Sequence, residues 1–238
     1  MTPPGTPVPD WRVPSRAFVP LAGAHAVLEP LSPAHCDALC DAFAGADTVW
    51  TYLASGPFAD GAALWDWAAG TAADGDTFFY AIRDAASGRA LGYASYLRIN
   101  PAAGSIEVGN ITLSPALQRS RAATEAMVLM MGWAFAAGYR RYEWKCNALN
   151  LPSRRAAQRL GFAFEGVHRQ ALVTRGHNRD TAWFSVIDGE WPALKAAFEE
   201  WLAPGNFDAH GRQKTALSSR TTPLLAARDP ALRRTDCT

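Results

Sequence analysis

The stretch Ile106 to Ala126, IEVGNITLSPALQRSRAATEA, holds the residues best ordered to do chemistry. Alternation carries a strand to Leu113, a short loop spans Ser114 to Ala122, and the residues after it, apolar almost all round, imply a buried helix. The first turn of a helix offers backbone N–H groups without intrahelical partners and the positive end of the dipole, and together these bind phosphate. Arg119 and Arg121 would add charge beside that seat. No G-x-x-x-x-G-K-[ST] or G-x-G-x-x-G follows any strand, so a nucleotide or phosphate-ester enzyme of those kinds is disfavoured.

Other chemistries find less support. The four cysteines, Cys36, Cys40, Cys146 and Cys237, include no C-x-x-C, and none of the five histidines stands at a ligand spacing from a cysteine or carboxylate, so no metal is expected. Cys36 and Cys40 share one helix face, and reduced thiols fit a cytoplasmic protein. With 23 Lys and Arg against 22 Asp and Glu, the net charge is +1, which gives no footprint for nucleic acid or an acidic membrane. No apolar run is long enough to span a bilayer and no signal pattern opens the chain.

The elements that must position the loop are legible around it. Residues 1–23 are Pro-rich and read as an extended arm, residues 24–203 as one domain, and residues 204–238 as a polar tail with no apolar face. Strands are expected at Ala24–Leu31, Thr77–Arg83, Ala90–Ile99, Ser105–Leu113, Arg140–Cys146, Phe162–Leu172 and Asp180–Ile187. Helices are expected after Ser32-Pro33, after Asp60, over Thr124–Ala137 with Gly138 as its stop, over Ser153–Leu160, and over Trp191–Leu202. Hairpin spacing early in the chain gives antiparallel pairing, and the strand–helix–strand in the middle gives a parallel pair. The class is α/β (α+β), a mixed sheet with helices on its faces.

This layout resembles the GNAT superfamily of acetyltransferases, nearest to its RimJ/RimL branch. Three residues after Pro115, Gln118-Arg119-Ser120-Arg121-Ala122-Ala123 follows the Q/R-x-x-G-x-G/A phosphate loop, except that Arg121 replaces the central glycine. If that position is already helical, an arginine is tolerated and adds a cation; otherwise the seat is spoiled. Glu107-Val108-Gly109, Asn150 to Ser153, Arg159-Leu160-Gly161-Phe162, Glu165-Gly166 and Arg179-Asp180 before Trp183 extend the similarity over residues 24 to 203. The resemblance implies a mostly antiparallel sheet of about seven strands, with a parallel pair splayed to admit a pantetheine arm. It implies acetyl-CoA as cosubstrate and an amine as acceptor, a protein N-terminus or a small molecule.

Acetyl transfer needs a neutral amine, a donor for the oxyanion and a proton for the leaving thiolate. Glu107 is the expected base, directly or through water, its pKa raised by partial burial; the plainer reading is a solvated or salt-bridged strand carboxylate. Alternation places it on one face with Gly109, Ile111 and Leu113. The backbone N–H near Leu113 would serve the oxyanion, Gln118 to Ala123 the diphosphate, and Asn150 the pantetheine amides or its own loop. Ala157 stands where many relatives carry a tyrosine acid, which leaves Ser153 or a water; Ser153 could equally be a helix N-cap. His168 could line the acceptor cleft. The aromatic group Trp50, Tyr52, Phe58, Trp65 and Trp67 reads as core or acceptor wall. Partly exposed apolar surface would allow a homodimer. Arg121 and Ala157 together motivate a second reading, a non-catalytic acyl-CoA-binding module.

Overall fold

A computed structural model describes residues 5–232; Cys237 lies outside the described residues. Eight strands form one sheet: β1 (Leu21–Ala22), β2 (Ala26–Pro30), β3 (Phe78–Asp84), β4 (Ala90–Asn100), β5 (Ser105–Leu113), β6 (Arg141–Asn147), β7 (Ala163–Thr174) and β8 (His177–Ile187). Their order is β1-β2-β3-β4-β5-β6-β8-β7, and every neighbouring pair is antiparallel except β5 with β6. The mixed sheet with one parallel pair is thus present, with the two-residue β1 added at its edge.

Six helices accompany it: α1 (Pro33–Phe43), α2 (Gly61–Ala72), α3 (Arg121–Ala136), α4 (Leu151–Arg159), α5 (Trp191–Leu202) and α6 (Leu217–Thr221). Asp60 caps α2 by accepting from the Ala63 amide at 2.9 Å. Gly138, at φ 98°, ends α3 as its type and place suggest. The strands sort their side chains onto two faces. Phe79, Ala81 and Tyr93 join Leu39, Phe43 and Leu64 under α1 and α2. Tyr80, Ile82, Ala94 and Tyr96 join Met130, Tyr142, Phe184 and Phe198 under α3, α4 and α5. Among the described residues no helix is long and apolar enough to cross a membrane.

Two features differ from expectation. β5 carries a bulge: Ser95 pairs with Gly109, but Tyr93 pairs with Thr112. Asn110 takes the extra step at φ 49°, a conformation asparagine tolerates better than most residues, and its Nδ2 donates to Ser95 Oγ at 2.9 Å. The inserted residue inverts the alternation. Ile111 and Leu113 therefore pack with the α3 side, not on the Glu107 face, and Thr112 takes that place opposite Tyr93. The parallel pair ends just before the bulge. β5 and β6 are registered only from Ser105↔Arg141 to Val108↔Trp144, although both strands continue.

The second difference lies after α5. The polar stretch lacked an apolar face in sequence, yet Leu217 and Thr221 are fully buried. The Arg154 guanidinium makes two 2.6 Å bonds to the Asp229 carboxylate, which pins this segment to α4. The N-terminal arm is held as well: Phe18 stacks at 4.4 Å on Phe78, and the Tyr80 hydroxyl donates to Val19 O at 2.7 Å.

Candidate active site

The site is the gap that opens between β5 and β6, with the start of α3 at its end. The loop from Leu113 turns tightly. The amides of Leu117 and Gln118 both donate to Ser114 O at 2.9 Å, and Gln118 Nε2 donates back to Leu113 O at 3.0 Å. Gln118 is thus used to fix the loop. Arg119 adopts φ 60°, so the left-handed step expected of a glycine falls here instead. Ser120 is the N-cap, its Oγ accepting from the Ala123 amide at 2.9 Å. Arg121 is the first helical residue, where a side chain costs nothing and projects away from the axis. Ala122 and Ala123 are buried and keep the turn close to the sheet.

The backbone amides in this turn divide into two groups. Those of Gln118, Ser120, Ala123 and Thr124 are taken by the protein. Those of Arg119, Arg121 and Ala122 have no acceptor among the described residues. Three open donors at the positive end of a 16-residue helix form an anion seat.

Glu107 lies on the other face of the sheet from α3 and is 2% exposed. Arg98 pairs with its carboxylate, and Lys145 Nζ lies 3.9 Å from it. Its buried charge is matched by two cations, the salt-bridged arrangement, and not left alone in a partly buried site. Both cations also lie over the Trp183 ring, at 4.9 and 5.4 Å, and His168 stacks on that ring at 5.0 Å. Burial lowers the pKa of Arg98, with Glu143 opposing the shift. Beside this group Arg141 binds Glu165 and Glu143, and Ser185 donates to Glu165 at 2.7 Å. The Arg141 bond is the chief reason the Glu165 carboxyl titrates below its usual range. Sequence reading singled out Glu107 but missed Arg98 and Lys145, because the pairing crosses three strands.

Ser153 and Asn150 sit at the start of α4. Asn150, not Ser153, is the N-cap: its Oδ1 accepts from the Ser153 amide at 3.1 Å. Ser153 Oγ accepts from the Trp144 indole at 3.1 Å. Burial pushes up the thiol of nearby Cys146, and a Ser153 bond opposes that shift. Trp144 and Cys146 are the β6 residues at and just past the last parallel pair, so Ser153 is placed at the opening. Ala157 is fully buried. Among the described residues no group of three or more His, Cys, Asp or Glu side chains could hold a metal.

Two concavities lie near the α1–α2 pair and the β7–β8 hairpin. A cavity of about 200 Å³ between α1 and α2 is lined by Cys40, Phe43, Trp50, Phe58 and neighbours. Trp50 is therefore wall and core at once, meeting Phe58 at 5.7 Å, while Trp67 packs against the core and meets Phe58 at 5.2 Å. An open hollow of about 630 Å³ is lined by Arg169, Gln170, Asn178 and Asp180 of the β7–β8 hairpin. Arg175 at the hairpin tip donates to Gly56 O at 2.8 Å and joins the two sides.

Comparison with known proteins agrees with this geometry. The model of the acetyltransferase (GNAT) domain matches residues 25–163. A solved GCN5-related N-acetyltransferase from Brucella melitensis is 44% identical, covers 90% of this chain and 100% of its own, and superposes with a TM-score of 0.86. A probable acetyltransferase (GNAT family) from Chromobacterium violaceum ATCC 12472 is 43% identical over 81% of this chain and 98% of its own, with a TM-score of 0.76. RimL, a ribosomal L7/L12 alpha-N-protein acetyltransferase, shares the fold alone, at 20% identity, 71% and 94% coverage and a TM-score of 0.61. No curated protein matches.

Proposed function

The chain belongs to the GNAT acetyltransferase family, and from that premise we propose that it moves the acetyl group of acetyl-CoA onto an amine by direct attack. One observation carries the reading: β5 parts from β6 after Val108, and the loop it feeds ends in three open amides. An acyl-pantetheine arm needs a slot between strands, and its diphosphate needs fixed donors where the slot ends. The residues present fit both demands.

The roles follow from position. Gln118 shapes the loop, Arg119 to Ala122 present the donors, and Ser120 and Ala123 hold the first turn in register. The Leu113 amide, just past the bulge, serves the oxyanion. Glu107 accepts the amine proton, through water where Arg98 occupies its direct face. The C–N bond forms, the C–S bond breaks, and a water proton relayed through the Ser153 hydroxyl, which gives one proton and takes one from water in the same step, reaches the departing thiolate. Asn150 fixes Ser153 through the α4 cap. The acceptor is a protein N-terminus, as the printed activity of RimL suggests, or a small amine entering past the α1–α2 aromatics and the β7–β8 hairpin. The exposed Leu172 and Val173 on the edge strand offer a homodimer contact.

A second reading, an acyl-CoA-binding module without turnover, is favoured by one fact: the Glu107 charge is already matched. Thiol release from acetyl-CoA with a panel of amines separates the two. Release with any amine, reduced in Glu107→Gln, supports the enzyme. Tight binding with no release on any acceptor, unchanged in Glu107→Gln, supports the module.

A further inference from the structure

Two arginines seated over aromatic rings flank the first turn of α3 without a counter-charge, while Arg119, which precedes the turn, is exposed. Arg121 lies over the Phe207 ring, its Cζ 4.2 Å from the centroid. Arg159, the last residue of α4, lies over the Trp201 indole at 5.1 Å. It also donates to Thr124 Oγ1 at 3.1 Å, and that hydroxyl donates to Ser120 O at 3.2 Å. Both guanidiniums are therefore tied to the turn that carries the open amides. Among the described residues neither has a carboxylate partner. Arg154, on the same helix as Arg159, is by contrast fully paired with Asp229. A guanidinium withdrawn from water with no anion costs free energy, and burial does lower the pKa of Arg159.

The segment after α5 is built to hold the two rings. Phe207 and Trp201 are buried and meet edge-on at 5.2 Å. Phe207 bridges to Gln213, whose Oε1 accepts from Trp201 Nε1 at 2.8 Å. Asn206 Nδ2 ties the turn to Trp201 O and Thr215 O. Gly211, at φ 74°, leaves room for Arg121; a Cβ there would lie 3.3 Å from its Nη2. A ring beneath a guanidinium fixes its plane and leaves the N–H edges to face a planar or tetrahedral anion.

We propose that Arg121 and Arg159 form a second phosphate subsite, separate from the amide seat, which takes the 3′-phosphate at the nucleotide end of coenzyme A, with Phe207 as its positioning residue. The inference rests on the acyl-CoA reading above. The three amides match a diphosphate, the two ring-seated guanidiniums stand beside it, and the donor carries one further phosphate, a monoester dianion suited to two guanidinium forks.

Calorimetry with acetyl-CoA and 3′-dephospho-acetyl-CoA tests it on the full chain. Wild type should bind the 3′-phosphorylated donor about tenfold or more tightly. Arg159→Met should abolish most of that preference while its affinity for the dephospho donor stays within about twofold. Arg159→Lys should restore part of it. Phe207→Leu, which keeps apolar volume but removes the ring, should lower the preference by about threefold. Equal binding of the two donors by wild type overturns the subsite, as does an equal loss for both donors in a folded Arg159→Met. If Arg159→Met does not fold, the wild-type ratio still decides. Binding of neither donor by wild type would instead remove the acyl-CoA reading itself.

Discussion

Arg98 and Glu107 meet across the β4–β5 pair on the sheet face opposite α3, the carboxylate buried and the guanidinium half in solvent. Breaking such a pair from the cation side leaves a buried charge with only Lys145 nearby. Arg98→Met should therefore cost about 3 kcal/mol in urea unfolding, and the Arg98→Met/Glu107→Gln double variant should recover part of that loss. In turnover, Glu107→Gln should lower kcat about a hundredfold or more at neutral pH with little change in acetyl-CoA affinity. A variant with unchanged kcat would show that Glu107 serves the fold and not the proton.

The Arg154–Asp229 pair makes a separate prediction about the chain end. Asp229 is 1% exposed and also accepts from the Ala231 amide at 3.0 Å. Asp229→Ala strands a buried guanidinium and should destabilise by about 3–5 kcal/mol. Limited proteolysis should then cut first between α5 and α6. Unchanged cleavage kinetics would mean that Leu217 and Thr221 hold the segment without the ion pair.

Periodicity and caps made most of the frame legible. β5 and α5 begin and end where their patterns do, and Asp60 caps the helix it precedes. The loop ahead of α3 was readable because its residues are consecutive and its turn is set by main-chain bonds. What sequence hid was non-local or parity-breaking. Asn110 inverts the alternation, and nothing in IEVGNITL marks which residue is the extra one. Glu125, on an apolar helix, accepts from the amides of Ala24, His25 and Ala26 at 3.0, 2.5 and 2.8 Å, a partnership 99 to 101 residues away. Arg98 with Glu107, Arg159 with Trp201 and Phe207 with Arg121 make contacts of the same non-local kind.

The bulge itself can be tested. Asn110 at φ 49° is tolerable for asparagine and easy for glycine, but a β-branched side chain is strained there. Asn110→Val should cost about 1–3 kcal/mol and raise KM for acetyl-CoA, because relief of the strained backbone would shift the end of β5 relative to β6. Asn110→Gly should keep KM and lose only the bond to Ser95. Equal KM values in all three proteins would separate the bulge from the slot.

Alkaline stability follows from two buried acids. Burial pushes the Cys36 thiol up to about 11 and the Tyr80 phenol up to about 12, from ordinary values near 9 and 10. In both, folding favours the protonated form, so the folded state binds more protons than the unfolded chain above pH 9. The stabilisation they represent is whole below the unfolded values and is lost as pH rises through the folded ones. The melting temperature should therefore be flat from pH 7 to 8.5 and fall by on the order of 5 °C or more between pH 9 and 11. Cys36→Ala removes one of these acids and should flatten the first part of that decline. The tyrosinate absorbance lost in Tyr80→Phe, taken as a difference from wild type, should appear only as the chain unfolds. A thiolate lost in Cys36→Ala, or a tyrosinate lost in Tyr80→Phe, that appears in the folded protein near the ordinary value would mean that water reaches that side chain, and that the α1–α2 core or the β3 floor is looser than its packing.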